Sequence, residues 1–396
     1  MAVHCTQALC RTKFSCASFA GRRRLGSRAA NLDNIDNYVE LANGSVFYKQ
    51  ESNNLKCTFR YIVSDLAKLY ADIPDAAGSL EQVLVYNVPG GKLYRALTFL
   101  HAYTQLLHRC SIPEDSPKQK YIMGICIELL QASGLVLDDL VDGSELRRGR
   151  PSWPSLRNSA SNVALNDVSM IMSSVFTLLH RHFGSQLYYL RILQLFHQVL
   201  HTTFLGQVLD LKSHNSDGKP QLELFTMNRY RSMAKYKTGF YTFYFPVSIA
   251  IIMAGCNDVD EMTQLEDILF EMGIFYQIQN DYWDCYQDSG LTGKSGNDVK
   301  EGKCTWLSVV ALQSASAKQK AAFQECYGHP LCSHTSVVKD LYEELDIHSK
   351  YKDYEQKTYD KLFAKICQVQ HCVPHHVLFS ILNMLFRKRT DVGLYR

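Results

Sequence analysis

Leu135–Trp153 reads "LVLDDLVDGSELRRGRPSW", and the reading of its aspartates decides the fold. Asp138, Asp139 and Asp142 stand at i, i+1 and i+4. On a helix, Asp138 and Asp142 stack one turn apart with Asp139 on the flank. Three carboxylates on one side repel one another unless a cation lies between them. Hard oxygen donors at this density suit Mg²⁺, which keeps waters and bridges to substrate phosphates. The residues before them, "LLQASGLVL", are apolar or small at nearly every position. That flank makes the segment the end of a core helix whose acids face a cavity, rather than a solvated acidic face. Arg147 and Arg148 follow at once, bracketed by Gly143 and Gly149. Guanidinium forks suit phosphate oxygens, so a diphosphate could bridge metal and arginine beside the helix end.

Three further segments carry the same chemistry. In "YQIQNDYWDCYQDSGLTGKSGNDVKEGK", Gln277, Asp281 and Asp284 fall on one helical face, and Asn280 sits one turn before Asp284. Lys294 and Lys303 flank a glycine-containing loop that holds Asp298, which combines a second acidic face with a basic lid. In "VPGGKLYRAL", Gly90 and Gly91 precede Lys92 and Arg95, two cations able to clasp an anion that approaches the backbone closely. In "KYKTGFYTFYFP", Lys237 and Thr238 stand before Phe240 and Tyr241. Aromatic faces of this kind either pack a core or steady positive charge in a dry pocket.

Outward from these motifs, apolar residues recur at three- and four-residue spacing, as in "LYYLRILQLFHQVLHTTFLGQVLDL" and "LEDILFEMGIFYQIQNDYWDCY". The interruptions are short and rich in Gly, Pro, Asn and Ser. No block of alternating strands and no internal repeat is present. The expected fold is all-α, a bundle of about ten helices around a central cavity. Apolar residues make up 46% of the 396, enough for a large core. A formal charge of +3 gives no whole-protein footprint for nucleic acid. The 13 cysteines include no Cys-x-x-Cys pair, so they read as reduced thiols in an intracellular compartment rather than as a zinc site or a disulfide framework. Residues 238–257 lack charge, yet Pro246 and several hydroxyls argue for a buried helix and against a transmembrane span. Residues 1–30 carry six basic and no acidic side chains, the pattern of a mitochondrial transit peptide. The expected organisation is that leader, or a disordered basic tail on a cytoplasmic protein, followed by one helical domain over 31–396.

In this order the segments resemble the trans-isoprenyl diphosphate synthase family, its farnesyl diphosphate synthase branch in particular. The resemblance rests on "GGKLYRAL", "ELLQASGLVLDDLVD", "LRRGRPSW", "KYKTGFYTFYFP", "FYQIQNDYWD" and "TGKSGNDVKEGKCTWL". It implies that Asp138, Asp139 and Asp142 hold Mg²⁺ on an allylic diphosphate, with Asp281 and Asp284 as the second metal motif; Mn²⁺ or Co²⁺ could substitute. It further implies that Arg147, Lys237, Gln277 and Lys294 contact that diphosphate, with Lys303 closing the lid. Lys92, Arg95, Gln131 and Arg148 match the site for isopentenyl diphosphate. Thr238 and Tyr276 would steady the cation. Asp138, Asp139, Lys237, Thr238 and Asp281 would thus carry catalysis, in a homodimer by analogy.

The sequence also departs from that family. Asn280 replaces the first aspartate of the second motif, and Ser133 and Gly134 stand where bulky aromatics usually close the pocket below the allylic site. "RPSWPSLRN" and the terminal "TDVGLYR" differ too. The leading expectation is a prenyltransferase that condenses dimethylallyl or geranyl diphosphate with isopentenyl diphosphate to geranyl or farnesyl diphosphate. Beside it stand an insect-type terpene synthase that ionises geranyl or farnesyl diphosphate to a volatile product, and a non-catalytic partner subunit. Against the second reading, all four co-substrate residues are present.

Overall fold

The computed structural model describes residues 45–110, 116–157, 161–215, 218–256, 259–286, 296–329, 331–369 and 373–386. The expected leader and Lys294 lie outside them. The order is α1 (Ser45–Lys68), α2 (Pro74–Asn87), α3 (Tyr94–Cys110), α4 (Pro117–Asp142), a ribbon of β1 (Leu146–Arg147) and β2 (Arg150–Pro151), α5 (Trp153–Leu156), α6 (Ser161–Phe183) and α7 (Tyr189–Leu211). Then come α8 (Met227–Ala234), a π-helix (Lys235–Tyr244), α9 (Phe245–Met253), α10 (Val259–Tyr286), α11 (Asp298–Glu301), α12 (Trp306–Ser314), α13 (Ala317–Cys326), α14 (Cys332–Glu344), α15 (Ile347–Gln368) and α16 (His375–Phe386). The all-α class expected from periodicity is therefore observed. Among the described residues the ribbon is the only sheet.

Helix α4 lies in the core against α1, α3 and α6. Gly124 permits this, since a Cβ there would stand 2.9 Å from Leu55. The helix stops after Asp142 because Gly143 takes the left-handed conformation, φ 63°, and donates back to the Asp139 carbonyl. That stop presents the aspartates at a helix end, as the sequence suggested.

The stretch Lys235–Pro246 behaves differently from a simple buried helix. Helices α8, π and α9 run on without a break, but the middle segment widens to i→i+5 bonding, with Phe245 N–H donating to the Phe240 carbonyl. Pro246 has no N–H to give, so the carbonyl an α-helical register would pair with it needs no such bond there. Two neighbours come to backbone contact with this segment. A Cβ on Gly206 of α7 would lie 2.1 Å from the Lys237 nitrogen, and one on Gly273 of α10 would lie 2.4 Å from the Gly239 Cα. Glycine at both positions is what lets three helices converge on Lys237 and Thr238.

Helices α4 and α6 contain windows long and apolar enough to cross a membrane by length and composition alone. The α4 window is mostly buried in the bundle, whereas α6 turns Val163 and Leu165 outward. The uncharged stretch at 238–257 sits in the core, with Phe245, Val247, Ile249 and Ala250 fully covered. Cys57, Cys126, Cys256, Cys285, Cys304, Cys326 and Cys367 are free thiols.

Candidate active site

The last turn of α4 places its aspartates in unequal positions. Asp139 is 2% exposed and is gripped by Arg147, whose Nε donates to Oδ1 at 2.7 Å while Nη2 donates to the same oxygen. Asp138 is less buried, its side chain 23% exposed, and lies 3.4 Å from Arg147 Nη2 and 3.1 Å from Lys237 Nζ. Asp142, one turn on, receives the Lys303 ammonium. Lys237 also donates to Asp210 Oδ2 at 2.6 Å. Burial pulls the Lys237 and Lys303 ammonium groups down, but the surrounding carboxylates more than offset it, so both stay above the usual lysine range. These cations already balance the acids that a diphosphate–metal complex would require.

The ribbon explains why adjacent arginines serve different places. Arg148, φ 56°, and Gly149, φ 74°, form the two-residue turn of a hairpin in which Arg147 faces Arg150. Arg147 then turns to the aspartates. Arg148 turns to the end of α2 and donates to the carbonyls of Asn87, 3.2 Å, and Pro89, 2.9 Å. Gly91 makes room for it, because a Cβ there would stand 2.7 Å from Arg148 Nη2.

Arg148 thereby shares the neighbourhood of Glu128 with Arg95. Lys92 is exposed. Arg95 is 7% exposed; its Nη2 donates to Thr242 Oγ1 at 2.9 Å, and its Cζ lies 4.3 Å from the centre of the Tyr241 ring and 5.8 Å from that of Tyr276. Arg95 Nε and Gln131 Oε1 are buried with no partner among the described residues. Glu128, one turn before Gln131, accepts from Ala96 N–H at 3.0 Å and is pushed up by burial, with Arg95 and Arg148 acting against that.

The second acidic face is tied into the core. Asp281 is 4% exposed. Its Oδ2 accepts from Tyr230 OH at 2.6 Å and Trp306 N–H at 2.9 Å, and its Oδ1 accepts from Gln277 Nε2 at 2.8 Å. Burial pushes its carboxyl up to about 6 despite those donors. Gln277 Oε1 in turn accepts from Thr238 Oγ1 at 2.6 Å, which links this face to the π-helix. Asp284 accepts from the Asp298 N–H at 3.0 Å. Among the described residues no three His, Cys, Asp or Glu side chains already converge in a metal-holding group.

The structure thus links Asp138, Asp142, Arg147, Lys237, Thr238, Gln277 and Lys303 through ion pairs and hydrogen bonds, and sets Arg95 and Arg148 near Glu128, with Gln131 one turn further along α4 and Lys92 exposed before α3. Sequence reasoning missed Asp210, Tyr230, Thr242 and Glu128. A lone acid in the apolar run "TTFLGQVLDL" was a usable signal for Asp210. Nothing local marks Tyr230, because only the fold brings α8 against α10.

Residues 78–345 match the polyprenyl synthetase family model. The chain is 35% identical over 341 residues to farnesyl pyrophosphate synthase of Murgantia histrionica, covering 86% of this chain and 83% of that protein. Against the Homo sapiens enzyme of the same name, identity is 37% over 345 residues, covering 86% and 82%. The structure superposes on Trypanosoma brucei farnesyl diphosphate synthase complexed with risedronate with a TM-score of 0.76 at 27% identity, covering 87% of this chain and 98% of that one. The chain belongs to the polyprenyl synthetase family.

Proposed function

We propose that this chain is a magnesium-dependent short-chain trans-prenyltransferase, condensing dimethylallyl or geranyl diphosphate with isopentenyl diphosphate to geranyl or farnesyl diphosphate. The observation that carries the reading is the second polar set. A buried arginine with one hydrogen bond and a buried glutamine oxygen with none are costly unless an outside partner completes them. A diphosphate meets Arg95, Arg148 and Lys92, and one of its hydroxyls or a water meets Gln131. A terpene synthase, which handles one diphosphate, has no use for this second set.

The allylic diphosphate is assigned to the other side, between Arg147, Lys237, Gln277 and Lys303; Lys294 is a further candidate from the sequence resemblance alone. The paired carboxylates Asp138 and Asp142 have the hard oxygen chemistry for Mg²⁺, as does Asp284 on α10; Asp139 and Asp281 act by holding Arg147 and Gln277. Divalent cations, when bound there, neutralise charge that develops on the departing diphosphate. Arg147, Lys237 and Lys303 add to that stabilisation from fixed positions. The C–O bond breaks to leave an allylic cation, which Thr238 and the Tyr276 ring face. The π bond of isopentenyl diphosphate attacks that cation, and the released diphosphate takes the proton lost from the neighbouring carbon. No side-chain nucleophile takes part.

Two further parts of the reading concern the whole protein. Val163, Leu165, Leu190, Leu205 and Val208 leave apolar side chains exposed on α6 and α7, which supports a homodimer closed over that face. The basic, acid-free residues 1–30 support a mitochondrial address.

The test incubates the full chain with Mg²⁺ and geranyl diphosphate, with and without isopentenyl diphosphate, and analyses both the diphosphate and volatile fractions. A fifteen-carbon diphosphate formed only with the co-substrate supports the proposal. Volatile terpenes formed without it overturn it in favour of a terpene synthase.

A further inference from the structure

The two acidic segments share one local pattern. Each has an outer residue, a middle residue next to it and a second outer residue one turn beyond: Asp138, Asp139, Asp142 on α4 and Asn280, Asp281, Asp284 on α10. In both, the middle aspartate is consumed by the protein. Asp139 is held by Arg147, and Asp281 has both oxygens occupied by Tyr230, Trp306 and Gln277. Their exposures of 2% and 4% leave no approach for a hydrated cation. The outer residues on α4 face cations, the ammonium groups of Lys237 and Lys303, and a divalent cation can take the place of those ion pairs. On α10 the outer pair is an amide and a carboxylate. Asn280 is half-buried with no hydrogen-bond partner among the described residues, and Asp284 accepts one backbone N–H.

We propose that the two faces are unequal cation sites and that Asn280 sets the difference. The Asp138–Asp142 face carries two charges and takes the tighter divalent cation. The Asn280–Asp284 face carries one charge and retains a cation only when diphosphate oxygens complete its shell. Asp281 is a positioning residue on this account and holds no metal. An amide oxygen still coordinates a hard cation, but affinity follows the number of charged ligands. This inference rests on the prenyl diphosphate reading of the same site.

The experiment is isothermal titration of the full chain with Mg²⁺ at saturating inorganic diphosphate, repeated with Mn²⁺ by electron paramagnetic resonance. Wild type is expected to show a tight and a weak class of sites. Asp142→Asn should abolish the tight class. Asn280→Asp, nearly isosteric and at a half-buried position, should lower the dissociation constant of the weak class about tenfold. Asp281→Asn should leave the number of bound cations unchanged. The proposal is overturned if the Asn280→Asp titration superimposes on wild type, or if Asp281→Asn removes a cation as Asp142→Asn does. The condensation assay is read separately, so an intact titration with no chain elongation counts against prenyl transfer and not against the unequal faces.

Discussion

Lys303 reaches Asp142, its Nζ donating to Oδ2, and so joins the segment after the second acidic face to the end of α4. The contact is anchored from behind, because Tyr327 OH donates to the Lys303 carbonyl at 2.6 Å and His214 Nε2 sits 2.8 Å from the Glu301 carbonyl. Lys303 therefore serves as the counter-charge of Asp142, and the proposed reaction gives it a second role as a donor to the leaving diphosphate. Lys303→Ala is expected to lower kcat about 100-fold, the scale of losing one charge-stabilising donor. Lys303→Arg should recover part of that loss in steady-state assays.

Asp210 holds Lys237 at 2.6 Å and shares it with Asp138. Asp210→Asn keeps the shape but removes one of two counter-charges. The expected cost is about 1–3 kcal/mol of stability, since Lys237 keeps Asp138 as a partner. Urea unfolding measures it, and kcat/KM should fall with it, because a freed ammonium no longer holds its place.

Gly206 touches the π-helix backbone where any Cβ would overlap the Lys237 nitrogen. Gly206→Ala must push α7 away from the π-helix. Overpacking of this kind costs about 3 kcal/mol or more. A loss of less than about 1 kcal/mol in chemical denaturation would show that the contact is not as tight as described.

Arg95 differs from Arg147 in the substrate it is assigned. Arg95→Met should raise the KM for isopentenyl diphosphate about tenfold or more, with the KM for the allylic substrate little changed. Equal changes in both constants would mean the two polar sets do not serve separate diphosphates.

His101 gives a pH dependence away from the site. It lies on α3 against Phe47 and Tyr48, with ring centroids 5.4 Å and 5.9 Å away, and both ring nitrogens are buried without a partner among the described residues. Burial, and secondarily His376, depresses it to about 4. A base depressed in the folded state stabilises above its unfolded value, and that stability is lost as pH falls from 6.5 toward 4. Between pH 7 and 5 the loss should be about 2 kcal/mol. His101→Phe should flatten that part of the curve in urea unfolding at the two pH values.

Much of this was legible beforehand, for reasons that are local. Asp138 and Asp142 stack because any helix stacks i and i+4, and Gly143 ends the helix because it alone accepts its left-handed turn at little cost. Arg147 and Arg148 stand a few residues on in the same stretch, and their guanidinium chemistry pointed to phosphate without any tertiary information. The two-residue ribbon escaped notice because its signal is one Arg–Gly turn within a charged loop. The π-helix escaped because its widened bonding comes from Pro246 acting together with glycines on two other helices. Asp281 shows the limit most plainly. Read along α10 it belongs with Asp284 as a metal ligand, and only the approach of Tyr230 and Trp306 turns it inward.

By itself the sequence determined the helical class, the places where acids and cations concentrate, and the family. These depend on periodicity and composition within single segments. The tertiary structure alone decided which way neighbouring side chains turn: Asp139 onto Arg147 but Asp138 also toward Lys237, Arg147 to the aspartates but Arg148 to the end of α2, and Asp281 into the core against Tyr230. Adjacent residues on a helix point about 100° apart, so which of them meets the cavity depends on the helices packed on either side, and no spacing within one helix specifies its neighbours.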